Sequence, residues 1–288
     1  MEPRSWRVPA LDGIELQVLS WSDTGVPLVM LHGFANDAHV WDDFAPAVAP
    51  YYRTLAFDLR GHGDSSRDPA LRYDHESMAS DVIAVTEALN VSRFVLLGHS
   101  MGGRVAMRVA GKHPERLAGL VIVDAGPELD ARGVSRIRFD AVSDKPASFA
   151  SASEYEVFLS RAYPLARPDV LARMARFGLR RGTDGRLEPK TDPAFFHAWE
   201  HESSENAARR AAEETAALWE ALARTPCPTL VVRGAASDVL SPEVADRMAE
   251  QVLPRGLLVV VPRAGHSVMV DNPEGFREAV TGFVLGDA

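Results

Sequence analysis

The stretch Phe94-Val95-Leu96-Leu97-Gly98-His99-Ser100-Met101-Gly102-Gly103 decides how the rest of the chain is read. An apolar run ends on a glycine, a serine follows two residues later, and a helical pattern from Gly102 to His113 begins at once. A short run of branched and aliphatic residues suits a strand buried on both faces. A serine wedged between such a strand and a helix sits in a sharp, strained turn. Its neighbours must be small, a need that Gly98 and Gly102 meet, and Gly103 lets the helix pack closely. The turn lifts the hydroxyl above the sheet edge. It also sets the Met101 amide at a helix N-terminus, facing any oxyanion that forms there. G-x-S-x-G alone is a common accident; the strand before it and the helix after it give it meaning.

Similar apolar runs lie on either side: Val26 to Leu31, Arg53 to Phe57, Leu120 to Val123, Thr229 to Val232 and Leu257 to Val261. Helical spacing lies between them. Met78, Val82, Val85 and Leu89 form one stripe. Pro242 to Val252 follows Ser241 as cap, and Pro273 to Leu285 follows Asn272. Strands alternating with helices predict a mainly parallel sheet. Trp6 to Ser20, broken at Asp12-Gly13, predicts a leading antiparallel hairpin.

The alternation stops after Val123. From Pro127 to Ala223 no buried strand is expected. Helical patterns run instead over Glu154 to Tyr163, Pro168 to Gly178 and Glu205 to Ala223, with a turn at Gly182 to Gly185. The expected organisation is a core of residues 1–126 and 224–288 and a helical cap over 127–223.

A serine hydroxyl is a weak nucleophile and needs a base. Of the chain's nine histidines, His266 is best placed, in the loop after the last strand. The base needs an acid to hold its tautomer. Asp238, in the loop after Thr229 to Val232, is the expected acid. Asp124, which ends the preceding strand, is the alternative. His32-Gly33-Phe34 follows Val26 to Leu31. It supplies a second oxyanion amide from Phe34 beside that of Met101, and His32 is expected to be structural. Trp41, His99, Phe139, Tyr163, Val239 and Val268 are expected to line the pocket. Phe149, Tyr155, Phe158, Phe177, Phe196 and Trp199 are available mainly to build the cap.

Composition narrows the partners. The chain has 288 residues and a formal net charge of -9, which disfavours binding to a phosphate backbone. Between Arg132 and Lys190, however, 12 Lys/Arg stand against 7 Asp/Glu. That excess predicts either attraction of an anionic substrate or arginines paired with nearby acids, the second being the plainer expectation. The single cysteine, Cys227, forms no internal disulfide and belongs to no Cys/His cluster, so no metal site is expected. Met1 to Pro9 lacks an apolar leader, and no run reaches the ~20 residues of a membrane helix. A cytoplasmic protein without membrane or nucleic-acid partners is expected.

Taken together, Leu31-His32-Gly33-Phe34, the run Asp58 to Ser65, Gly98-His99-Ser100-Met101-Gly102-Gly103, Arg233-Gly234 with Asp238, and Gly265-His266-Ser267 resemble the α/β-hydrolase superfamily, in its capped esterase and enol-lactonase-like branch. The resemblance implies an eight-stranded, mostly parallel sheet flanked by helices, with an inserted cap. It implies a cofactor-free serine hydrolase that acts on a small ester or lactone through an acyl-enzyme. Relatives with an aspartate nucleophile are set aside by Ser100. Carbon–carbon bond hydrolases of this fold usually carry Asn where this chain has His99, so cleavage of a vinylogous diketone is an alternative. A non-catalytic ligand-binding module on the same fold is another.

Overall fold

The structure, a computed structural model, describes residues 2–140, 146–197 and 203–286. Each continuous apolar run forms a strand. In chain order the strands are β1 (Arg4–Pro9), β2 (Glu15–Ser20), β3 (Val26–Leu31), β4 (Tyr52–Phe57), β5 (Phe94–His99), β6 (Leu117–Val123), β7 (Leu179–Arg181), β8 (Leu187–Pro189), β9 (Thr229–Gly234) and β10 (Gly256–Val261). The main sheet has eight strands in the order β1-β2-β4-β3-β5-β6-β9-β10. β1 pairs antiparallel with β2, and β2 with β4; the other pairings are parallel. β5 and β9 are buried at every residue, as strands covered on both faces must be. β10 closes one edge and is only half-buried.

The helices are α1 (Ala45–Val48), α2 (His75–Ala88), α3 (Met101–Lys112), α4 (Ala131–Arg138), α5 (Ala152–Ala162), α6 (Pro168–Gly178), α7 (Ala194–His197), α8 (Ser204–Ala223), α9 (Pro242–Asp246), α10 (Val268–Asp271) and α11 (Pro273–Val284). Their starts follow local chemistry. Asp74, Ser151, Ser203, Ser241 and Asn272 each accept a backbone N–H of the first turn. The pattern over Pro242 to Val252 is two pieces, α9 followed by a π-helical turn at Arg247–Val252.

Between β6 and β9 the described residues add no strand to the main sheet. α4 and the short hairpin β7–β8, turning at Gly182 to Gly185, were not anticipated; the hairpin's strands are mostly exposed or half-buried, so no apolar run marks them. Phe149, Tyr155, Leu159, Ala175 and Leu179 form a small core in this segment. Arg132, Arg136, Arg167, Arg173, Arg180 and Lys190 pair with acids, several of them across to the rest of the fold. Arg173 holds Asp43 at 2.5 Å and Lys190 holds Asp64 at 2.6 Å. Cys227 is buried before β9. Among the described residues no helix is long and apolar enough to cross a membrane.

The sheet order places the site. The chain steps from β3 to β4 on one side, then back to β5 on the other. Ligands of open parallel sheets bind outside the strand carboxyl ends at such a reversal. Register aligns those ends, with His99 beside Val123 and Val123 beside Val232.

Candidate active site

Ser100 caps α3 with φ 52° and ψ −116°. Only a crowded, glycine-bordered turn enforces that backbone on a serine. A Cβ at Gly98 would lie 2.2 Å from the Gly102 carbonyl oxygen, and one at Gly102 would lie 2.6 Å from that of His32. The Ser100 amide donates to the Val123 carbonyl at 2.9 Å, which ties the turn to β6.

Ser100 Oγ stands 2.9 Å from His266 Nε2. His266 Nδ1 stands 2.8 Å from Asp124 Oδ2. These partners assign the tautomer: Nδ1–H donates to the carboxylate, leaving Nε2 to accept from the hydroxyl. The His266 loop is braced by the Gly265 amide, which donates to Asp271 at 2.8 Å. Asp124 is wholly buried and, like Ser100, has a positive φ, 45°. Its amide donates to the Val232 carbonyl at 2.7 Å. Its Oδ1 accepts from the Gly234 amide at 3.0 Å, and its Oδ2 accepts from Ser237 Oγ at 2.5 Å.

The carboxylate against the imidazole is therefore Asp124, not the expected Asp238. Asp238 is held elsewhere: Arg136 of α4 donates to it through Nε at 2.7 Å and Nη2 at 2.8 Å. That fork–fork contact holds the Asp238 carboxyl below the usual carboxylate range. Asp238 still lines the pocket wall.

The other histidines near the site are neutral fixtures. His32 is fully buried, donating from Nδ1 to the Gly33 carbonyl at 2.7 Å and accepting the Leu59 amide on Nε2 at 2.9 Å. Burial and then nearby His62 drive its pKa well down. His99 Nε2 donates to the His266 carbonyl at 2.9 Å. Burial, followed by the proximity of His266, pushes its pKa down to about 3. His99 thus orients the backbone that carries His266.

A cavity of about 450 Å³ opens over Ser100, between the strand ends and helices α4 and α5. Of the residues expected there, His99 and Tyr163 line it, and so does Phe34. Trp41, Phe139, Val239 and Val268 do not. Trp41 is fully buried on a 3₁₀ turn packed toward Phe276, with ring centroids 6.0 Å apart. Phe139 points to solvent at 58% exposure. Val239 and Val268 are buried behind the wall. Met101 sits beneath the turn with its side chain buried. Trp199 lies outside the described residues. The wall also includes Asn36, Arg136, Tyr155, Arg161 and Asp271, which sequence reasoning missed or placed elsewhere. Asn36 donates to the Tyr163 hydroxyl at 3.3 Å. Among the described residues no group of three or more His, Cys, Asp or Glu is arranged to hold a metal ion.

Comparison with known proteins gives concordant results. The α/β hydrolase fold family profile matches residues 26–273. The 2-(acetamidomethylene)succinate hydrolase of Mesorhizobium japonicum is 26% identical over 91% of this chain and 88% of its own length. The pimeloyl-[acyl-carrier protein] methyl ester esterase of Nitrosomonas europaea is 31% identical over 88% of this chain and 93% of its own. The crystal structure of E-2-(acetamidomethylene)succinate hydrolase superposes with a TM-score of 0.84 at 25% identity, covering 99% of this chain and all of that one.

Proposed function

The chain belongs to the α/β hydrolase fold family, and from that membership we propose that it is a serine hydrolase that cleaves an ester or lactone of a small, largely apolar substrate. The single observation that carries this reading is the continuous bonding from Ser100 Oγ through His266 to Asp124, at 2.9 Å and 2.8 Å. In this reading the helical segment between β6 and β9 acts as a cap, and the carbonyl enters beneath it. Ser100 Oγ attacks the carbonyl carbon while His266 Nε2 takes the hydroxyl proton. The amides of Phe34 and Met101 receive the oxyanion. Collapse of the tetrahedral species expels the alkoxide, which takes from His266 the proton given up by Ser100. Water, deprotonated by the same imidazole, then attacks the acyl carbon, and the acid leaves as Ser100 Oγ takes that proton from His266. Asp124 keeps the imidazole in its reactive tautomer and offsets the imidazolium charge.

Ser100→Ala removes the nucleophile while leaving the turn intact. Turnover of p-nitrophenyl esters is expected to fall by about 10⁶-fold with an unchanged circular dichroism spectrum. Wild-type turnover in the folded variant would overturn the reading.

A second reading concerns substrate charge. A relative matching nearly the full chain is named for a succinate carrying an acetamido group, and Arg161 on the pocket wall has no ion-pair partner among the described residues. Both favour including carboxylate-bearing esters and N-acyl compounds in the substrate panel.

A further inference from the structure

The loop Ala235–Leu240 after β9 is where an acid was expected, and it reaches the triad by another route. Ser237 Oγ lies 2.5 Å from Asp124 Oδ2, the same oxygen that receives His266 Nδ1. The amides of Val239 and Leu240 both donate to Ser237 Oγ, at 3.1 Å each. A hydroxyl has two acceptor sites and one proton. With both acceptor sites engaged by amides, the proton has one direction left, toward Asp124. The loop is rigid enough to hold it there. Ser237 N–H donates to the Gly234 carbonyl at 2.9 Å. The Arg233 guanidinium donates to the carbonyls of Leu240 at 2.7 Å and Ser237 at 3.2 Å.

We propose that Ser237 is a positioning residue that fixes the Asp124 carboxylate and, by sharing its charge, lowers the proton affinity of His266. The inference rests on the serine-hydrolase reading but adds a role that reading does not require. A carboxylate oxygen that already accepts a short O–H bond has less negative charge to offer an imidazolium. Removing the hydroxyl should therefore make Asp124 a stronger partner for an imidazolium. The Gly234 amide holds the other oxygen, so Asp124 cannot swing away to compensate.

Other groups also face the imidazole. Asp238 in the same loop and Asp271 of α10 are both close enough to interact with it electrostatically. His99 at the end of β5 packs with its ring centroid 4.9 Å from that of His266. Arg136 of α4 neutralises Asp238. Ser237→Ala also takes the acceptor from the Val239 and Leu240 amides in the loop that carries Asp238, so Ser237→Thr, which keeps the hydroxyl, is the control that isolates its contribution.

The test is the pH profile of Ser100 labelling by a fluorophosphonate, which requires neutral His266 and no knowledge of the substrate. Wild type should label with an acid limb, and Ser100→Ala should not label. In Ser237→Ala the acid limb should move to higher pH by about half a unit or more, and Ser237→Thr should restore it. Should Ser237→Ala fail to fold, Ser237→Cys keeps the bulk with a weak donor, and its limb should move the same way. An unmoved limb in a folded Ala or Cys variant, or one displaced to lower pH, overturns the inference. Wild type that does not label overturns the serine-hydrolase reading itself, a distinct result.

Discussion

Arg136 and Asp238 face each other in a two-bonded fork, Nε to Oδ2 at 2.7 Å and Nη2 to Oδ1 at 2.8 Å. The arginine comes from α4, and the aspartate from the loop beside the triad. Both side chains are partly exposed, at 41% and 37%, so the pair adds at most about 1 kcal/mol to stability. Its consequence is chemical. It occupies the carboxylate that chain order made the natural partner of His266 and leaves that place to Asp124.

The two aspartates should therefore separate cleanly under substitution. Asp124→Asn keeps the shape but inverts the hydrogen bond that sets the His266 tautomer, so kcat should fall by about 10⁴-fold. Asp238→Asn loses one pocket-wall charge and should cost less than about tenfold. Steady-state ester hydrolysis by both variants checks the assignment; the reverse ranking would restore Asp238 as the acid.

Gly33 stands where the chain approaches the site most closely. A Cβ there would lie 2.6 Å from His99 Nδ1 and 3.2 Å from Ser100 Cβ. His99 cannot yield, because it is buried and bonded to the His266 carbonyl. In Gly33→Ala the loop carrying the Phe34 amide must move instead. In the proposed mechanism the Phe34 amide is an oxyanion donor, and its loss predicts a fall in kcat of about 10²-fold with KM little changed. Strain should lower stability by about 1–3 kcal/mol, read as a drop in thermal midpoint.

The central strands were legible because both faces are buried, so apolar runs such as Phe94 to Leu97 carry no polar interruption. The elbow was legible because its glycines are sterically required. The acid was not. Asp124 and Asp238 each follow a strand, and the discriminating contact comes from Arg136, 102 residues away from Asp238 in sequence. No local pattern reports it. The pocket wall failed for a similar reason. Trp41 and Phe139 are large and apolar, but one packs inward on a 3₁₀ turn and the other faces solvent. Ser237 was invisible, since a serine in a loop is ordinary until its hydroxyl is seen on Asp124.

Glu214 joins α8 to the core. Its carboxylate meets His75 at 2.5 Å, Arg104 at 3.3 Å and Arg108 at 3.9 Å. Burial pushes its pKa up, but His75 and the two arginines outweigh that and hold it at about 2, against an ordinary 4.5. A depressed folded-state value means the carboxylate stabilises the fold above pH 4.5, and that contribution is lost as pH falls from there toward 2. The thermal midpoint of wild type should therefore drop across this window. Glu214→Gln should be less stable at neutral pH and show a shallower drop below pH 4.5. Parallel slopes for the two proteins would remove Glu214 from the account.

Arg161 raises the question of what the pocket selects. It lies in the last turn of α5, where a cation complements the helix dipole without any ligand. It also lines the cavity over Ser100 and has no ion-pair partner among the described residues. The two roles predict different losses. If Arg161 only serves the helix end, Arg161→Gln lowers the thermal midpoint slightly and leaves KM alike for neutral and anionic esters. If it meets a substrate carboxylate, the lost charge-assisted bond is worth about 1.5–3 kcal/mol. KM for a carboxylate-bearing ester should then rise by about 10- to 150-fold, with a change under about threefold for the neutral methyl ester of the same acyl group. We expect the selective loss. Measuring both esters with both proteins decides it, because a stability defect would weaken the two substrates equally.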